Sequence, residues 1–501
     1  MREILPEQMD LSREVVPVIG NVDYEEFRWR LAELDRLLRL SGLENEFVQR
    51  GLVCWEAEAQ RKAEKEGKGY REPGFRAMAR MQRMYRQALR CNIARLLTEK
   101  EYRKFTRRLA DGPLLQWFCR IERMECVRVP SKSTLERYDK LAPESEVRAL
   151  VNRLNRLAVS GQVGLEAGLD LEAYFSDATC VKAAVHFPVD WVLLRDGVRT
   201  LIKAIVVIRR HGLKHRMPEP EIFLRQINRK SIEMTHSRRS MDSKKKRKKA
   251  LRQMKRLNGI VLKHARRYRL ALAEGWETRT DLKAGQVRQI LKRLDGVVEQ
   301  MPKAIRQAHE RIIGERKVKN ADKILSLYER EIHVIVRGKA DAEVEFGNTL
   351  WLGEQRDGLI LDWELRKDKS PGDTKLFRAS MERVKTVFDR YPDSVAGDRG
   401  LWSEDNETWL EREGIYSALC PRGVDGLRER LKEPRFAELQ TRRSQTEGRM
   451  GIMKNDFLGR PLRSKGFEHR ELAVTWAVLA HNLWLLARLR WAEEKEKKKA
   501  A

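Results

Sequence analysis

The run Arg442-Arg443-Ser444-Gln445-Thr446-Glu447-Gly448-Arg449-Met450-Gly451-Ile452-Met453-Lys454 sets one carboxylate among basic residues at helical spacing. At 100° per residue, Arg443 stands about 40° from Glu447 and Lys454 about 20° from it, so the three share one helix face. A carboxylate presented in this way can hold a divalent metal ion while its cationic neighbours grip the phosphates of a nucleic acid. The plain alternative is a surface helix laced with ion pairs.

Two further carboxylates extend the pattern. Asp177 lies in Leu171-Glu172-Ala173-Tyr174-Phe175-Ser176-Asp177-Ala178-Thr179-Cys180-Val181, a run with strand-like alternation in which an apolar residue or Thr would be easier to bury. An unpaired buried carboxylate is costly unless it meets a cation. Asp398 closes the short apolar run Asp393-Ser394-Val395-Ala396-Gly397-Asp398 and is followed by Arg399-Gly400 and the helical pattern Asn406-Glu407-Thr408-Trp409-Leu410. That places a carboxylate at the end of a strand, where α/β folds put ligand sites. Taken singly, each Asp also suits a turn or a helix cap. Taken in order, a strand Asp, a strand-end Asp and a helix Glu form a set. Asp190 and Asp196 fall on a following turn and helix, where capping accounts for them, and Glu468 and Glu471 read as structural.

The chain resembles the DDE transposases of bacterial insertion sequences, whose catalytic domain is ribonuclease H-like. The resemblance rests on separated blocks: Ser176 to Thr179, then Ala184 to Asp190 and Leu193 to Arg199; Gly338-Lys339-Ala340 with Val344 to Gly347; Gly397-Asp398-Arg399-Gly400; and Arg443 to Lys454. Many of these enzymes carry a Tyr, Arg, Glu, Lys signature, matched here at Arg443, Glu447 and Lys454, while Gln440 stands in place of the Tyr. The resemblance implies that Asp177 bridges two Mg2+ or Mn2+ ions, with Asp398 and Glu447 each completing one site. It also implies that Arg443 and Lys454 touch phosphates beside the scissile bond. Hard carboxylate ligands suit such ions, and no Ser or Tyr nucleophile is needed. Arg399 sits next to the same site. Trp402 can stack on an unpaired or flipped base, although a core or surface aromatic is its plainer role.

Charge points the same way. Lys and Arg number 103 against 74 Asp and Glu, a net +29, which calls for a polyanionic partner. Residues 201 to 270 alone hold 23 Lys or Arg and 4 Asp or Glu. Within them, Lys244-Lys245-Lys246-Arg247-Lys248-Lys249 is expected to meet DNA phosphates, as a run without the regular shape that groove readout requires. Six cysteines without a CxxC pair or nearby His give no zinc site and suit a reduced intracellular protein. The first residues, Met1 to Glu7, lack an apolar targeting core. Leu472 to Leu489 reads as a buried helix carrying Trp476, Leu479, Leu483 and Leu486, short for a membrane span.

The elements needed to position the three acids follow from periodicity. An all-α region over 1–165 is expected to bind DNA or to dimerise. Its Ser131 to Tyr138 stretch is a capped helix presenting Lys132, Arg137 and Tyr138, either as a helix-turn-helix-like reader or as part of a bundle. Residues 166–190 and 331–490 are expected to form the ribonuclease H-like α/β domain, a mixed sheet flanked by helices. A basic helical insertion over 191–330 splits it, and 491–501 is a charged tail expected to lack structure. A hairpin is expected from Ala342 to Leu365 around Glu354 to Gly358. With the resemblance, these readings lead to the expectation of a cytoplasmic, nucleoid-associated bacterial DNA transposase that cleaves element ends and transfers 3'-hydroxyl ends to target DNA. The partners this implies are the terminal inverted repeats, the target duplex and a second copy of itself, with no membrane. The alternatives are a catalytically silent DNA-binding descendant and a ribonuclease H-like repair or recombination nuclease.

Overall fold

A computed structural model of the chain describes residue 4 and residues 18–121, 126–166, 168–237, 242–339 and 342–500. The segment Met1 to Glu7 (residue 4 apart), as well as Ala340, lies outside the described residues. The elements run in chain order as α1 (Val22–Leu40), α2 (Leu43–Lys65), α3 (Phe75–Thr98), α4 (Tyr102–Asp111), α5 (Pro113–Phe118), α6 (Lys132–Tyr138), α7 (Glu144–Val159) and β1 (Ala173–Lys182). Next come α8 (Asp190–Arg210), α9 (Pro220–His236), α10 (Ser243–Arg279), α11 (Ala284–Ala308), β2 (His333–Lys339), β3 (Ala342–Gln355) and β4 (Ile360–Leu365). The chain then forms α12 (Asp373–Phe388), β5 (Ser394–Gly397), α13 (Glu404–Arg412), β6 (Tyr416–Leu419), α14 (Val424–Arg430), α15 (Pro434–Arg442), α16 (Ser444–Ile452) and α17 (Phe467–Ala500). They group into two compact units, one of Met1–Lys182, Thr349–Arg366 and Ser370–Ala501, the other of Ala183–Asn348 and Lys367–Lys369.

In the first unit the N-terminal helices follow from capping and apolar stripes. Asn21 accepts a hydrogen bond from the Tyr24 amide at 2.9 Å to start α1, and Leu31, Leu34 and Leu38 recur at helical spacing and are fully buried. Arg90 of α3 is fully buried, and pays for it by pairing with Asp35 at 2.8 Å and Glu44 at 2.6 Å. Ser131 caps α6 as expected, accepting from the Thr134 amide at 3.3 Å, but Tyr138 is not presented with Lys132 and Arg137: it turns into the core with Leu135, and its hydroxyl donates to Gln87 Oε1 at 2.7 Å. Helix α17 runs through that same core with Trp476, Leu479, Leu483 and Leu486 buried. Among the described residues it is the one helix long and apolar enough to cross a membrane, and most of its apolar stretch is buried within the protein.

The strands form a mixed six-stranded sheet in the order β2-β3-β1-β5-β6, with β4 also on β3. Strands β1, β5 and β6 are parallel neighbours, and β3 and β4 make the expected antiparallel hairpin. Strand β2 carries the β-branched trio Val334-Ile335-Val336 and was not anticipated, its pattern being cut short by Gly338.

The second unit packs α8 to α11 around Leu194, Leu201, Ile205, Met254, Tyr268 and Met301. Its two ends meet: the Ala183 amide donates to the Phe346 carbonyl at 3.0 Å. Two expectations of irregularity do not hold. The Lys244 to Lys249 run forms the first turns of the 37-residue α10, because Lys and Arg are good helix formers. The charged tail continues α17 to Ala500, where Glu493 and Glu494 stand four residues before Lys497 and Lys498, and Lys497 pairs with Glu166.

Candidate active site

Strand register brings the two aspartates side by side. In the parallel pair, Ala173 faces Ser394, Tyr174 faces Val395 and Phe175 faces Ala396. The same offset carried past Gly397 sets Asp398 beside Asp177, on neighbouring strands about 4.8 Å apart. The Asp177 carboxylate accepts from the Ala178 amide at 2.6 Å, and that of Asp398 accepts from the Gly400 amide at 2.8 Å in a tight turn. Burial pushes the Asp177 carboxyl up to about 6; the Ala178 amide and Arg443 work against the rise, and the nearby Asp398 and Asp373 carboxylates add to it.

Asp373 is the acid that sequence reasoning missed. It opens α12 after Pro371-Gly372, and a side chain carbon placed on Gly400 would stand 3.0 Å from Asp398 Oδ1 and 3.2 Å from Asp373 Oδ2, so the two carboxylates straddle that glycine. The signal was present as an Asp at a helix start, which capping alone explains.

Helix α16 packs on β1, with Arg443 capping its start and Lys454 in the π-helical turn, Met453–Leu458, that continues it. Lys454 Nζ donates to Thr179 Oγ1 at 2.6 Å, two residues beyond Asp177 and on its face of the strand. Arg443 is half-buried, its field reaches Asp177, and its Nε has no hydrogen-bond partner. Gln440, in the place of the signature Tyr, donates through Nε2 to the carbonyls of Gly397, at 3.1 Å, and Ala418. It thereby ties α15 to the ends of β5 and β6. Glu447 is exposed on α16 one turn after Arg443. Among the described residues no three Asp, Glu, His or Cys side chains gather closely enough to hold a metal ion. The fold thus brings Asp177, Asp398, Asp373 and Arg443 into one neighbourhood and leaves the Glu447 carboxylate on the solvent side of its helix.

The other expected contacts sit elsewhere. Arg399 is exposed beside Asp398, whereas Trp402 is half-buried against the main core with the Arg422 guanidinium 5.9 Å from its ring centre. Lys132 pairs with Glu136 at 2.8 Å, and Arg137 donates to Thr134 Oγ1 at 3.2 Å, both on the outer side of α6. In the second unit, Lys244 and Lys248 pair with Glu315 at 3.4 and 2.7 Å, Arg247 lies over the Trp191 ring, and Lys245, Lys246 and Lys249 are exposed.

The donor set suits a hard divalent cation: carboxylates alone, one of them half-buried, with the Arg443 guanidinium among the charges acting on Asp177. Residues 352–483 match the family model of the transposase DDE domain, a span that holds Asp373, Asp398, Arg443, Glu447 and Lys454 and leaves Asp177 outside. No curated protein and no solved structure matches the chain.

Proposed function

We propose, on the premise of a transposase DDE domain at residues 352–483, that the protein cuts DNA at the ends of a mobile element and joins the resulting 3'-hydroxyls to target DNA. A transposase domain implies a DNA partner, and divalent metal ions are typical of the family. The observation that carries the reading is the register that sets Asp177 of β1 beside Asp398 at the end of β5, with Arg443 just before α16 and Lys454 in the turn just after it. Asp177, Asp398 and Glu447 would hold two Mg2+ or Mn2+ ions, with Glu447 approaching from α16. Bound there, such ions supply charge neutralisation at the phosphorus and at the departing oxygen.

The chain's own groups do the rest. Arg443, with an Nε lacking a partner, is a fork for a phosphate beside the scissile bond. Lys454, held by Thr179, adds a second positive charge on the same strand face. In cleavage a water oxygen bonds to phosphorus as the bond to the 3'-oxygen breaks and that oxygen takes up a proton. In joining, the 3'-hydroxyl takes the place of the water. Lys245, Lys246 and Lys249 grip the backbone of a longer duplex. Six cations in the first turns of a 37-residue helix oppose its dipole, and one Glu315 answers only two of them, which suits a polyanion at that end. Lys132, Arg137 and Arg399 add outer phosphate contacts, and the half-buried Trp402 is left to the core. The working form is a homodimer or higher oligomer on DNA in the bacterial cytoplasm.

The test uses duplexes carrying the inverted repeats that flank the coding region, incubated with Mg2+ or Mn2+ and a target plasmid. The reading requires strand-transfer product that Asp177→Asn removes. Cutting without joining would make the protein a nuclease, and binding without either would make it a silent DNA-binding descendant.

A further inference from the structure

Helix α16 has an inner face as well as an outer one. Arg449 follows Glu447 by two residues and so lies about 200° around the helix from it, while Gln445 precedes Arg449 by one turn and shares its side. That inner face is fixed by polar contacts. Arg449 Nε pairs with Glu354 Oε2 of β3 at 2.8 Å, its NH1 donates to His481 Nε2 of α17 at 3.0 Å, and Gln445 Nε2 donates to the Gln355 carbonyl at 3.3 Å. His481 Nδ1 donates in turn to Asn482 Oδ1 at 2.9 Å, and the Asn482 amide group reaches Asn155 Oδ1 of α7 at 2.9 Å and the Ile360 carbonyl of β4 at 2.8 Å. One guanidinium therefore joins α16 to the sheet and, through α17, to the helical region.

The surroundings make room for it. Gly358, in the turn of the β3-β4 hairpin, has φ +96°, and a side chain carbon there would meet Arg449 NH2 at 1.8 Å. Glu354 is completely buried, and that burial raises its carboxyl pKa even with Arg449 beside it. Such a pair is a weak source of stability, since two neutral side chains of similar volume pack as well. What it supplies is one defined angle for the helix.

We propose that Arg449 is a positioning residue whose clamp between Glu354 and His481 sets the rotation of α16, and so aims Arg443 and Lys454, which flank its two ends, at the acids of β1 and β5. The inference rests on the cleavage reading above. Its test is Mn2+-dependent nicking of a supercoiled plasmid by the full-length chain, with Asp398→Asn as the blank. Arg449→Ala strands a buried carboxylate and risks the fold, so the informative variant is the double Glu354→Gln, Arg449→Met, read beside Arg449→Lys. The double variant should melt as cooperatively as the parent and hold plasmid with affinity within about twofold, yet nick roughly 10- to 100-fold more slowly at saturating DNA. Arg449→Lys, which reaches Glu354 but cannot also span to His481, should fall between the two. Nicking by the double variant within about twofold of the parent overturns the proposal, as does loss of cooperative melting in both variants, which would make the clamp part of the fold. A parent that shows no nicking beyond the Asp398→Asn blank removes the cleavage reading itself, a result told apart from the others by the parent alone.

Discussion

Replacing Lys245, Lys246 and Lys249 together with Gln removes three exposed cations from the start of α10 and leaves Lys244 and Lys248 on Glu315 and Arg247 on Trp191. Each phosphate contact contributes about 0.9 to the slope of log affinity against log salt on duplex DNA, so three contacts are worth about 2.7. Between 50 and 200 mM salt that difference amounts to roughly a 40-fold narrowing of the gap between parent and variant. Fluorescence anisotropy with a random duplex and a duplex of the element's end, each across a salt series, measures it. Both duplexes should lose affinity by similar factors, because phosphate contacts carry no base information. Glu315→Gln should act in the opposite sense, freeing Lys244 and Lys248 and steepening the slope. A triple variant that keeps the parent's slope, or that loses affinity only for the end sequence, refutes the phosphate grip. Since the run is helical, the second of those outcomes would mean that α10 reads a groove.

Three further outcomes are expected. Asp398→Asn should abolish cleavage and joining while leaving end binding, read by gel shift, within about twofold of the parent, since it removes a ligand and no cation; parallel loss of both would give Asp398 a structural role. Asp373→Asn should weaken Mn2+ binding, followed by calorimetry on the full chain, less than Asp177→Asn does, because Asp373 adds to the field at Asp177 from the start of α12; unchanged affinity would leave Asp373 a helix-start residue only. Burial, with Arg449 adding to it, lowers His481 to about 3, so the folded state holds it neutral and the stability it contributes is complete above pH 6.5 and declines as pH falls from there toward 3. Urea unfolding should therefore show the parent losing up to about 1.4 kcal/mol per pH unit more than His481→Asn below pH 6.5, and parallel curves would sink the assignment.

The hairpin of β3 and β4, the strands bearing Asp177 and Asp398 and the helix bearing Glu447 were legible because each combines one periodicity with a clear stop. Asp373 was hidden for the opposite reason: an Asp at a helix start is explained by capping, and only the approach of α12 to Gly400 and Asp398 reveals what else is near it. Arg449 was quoted with the signature run and given no role. Its partners Glu354 and His481 lie 95 and 32 residues away, and no local pattern announces a contact at that separation. The Lys244 to Lys249 run misled because charge density was read as irregularity, whereas Lys and Arg extend a helix when later turns such as Leu251, Met254 and Leu262 are buried.

The pairing of Asp177 with Asp398 spans a long stretch of chain, and closing so large a loop as a flexible coil would cost conformational entropy and slow the search for register. The second unit lowers that cost by its own construction. It has a separate apolar core in α8 to α11, and its ends are joined by the Ala183 to Phe346 hydrogen bond. A folded insertion whose ends meet acts on the flanking chain like a short connection, so β1 and the second half of β3 can enter the sheet as though little chain lay between them. A one-residue slip between β1 and β5 would set Ser176 or Ala178 beside Asp398 in place of Asp177. The apolar partners Tyr174 with Val395 and Phe175 with Ala396 penalise that slip, since all four side chains are buried. Packing two to three residues ahead of the acids therefore decides where the carboxylates meet, which is why the core of the sheet and the chemistry at its edge are specified by the same residues.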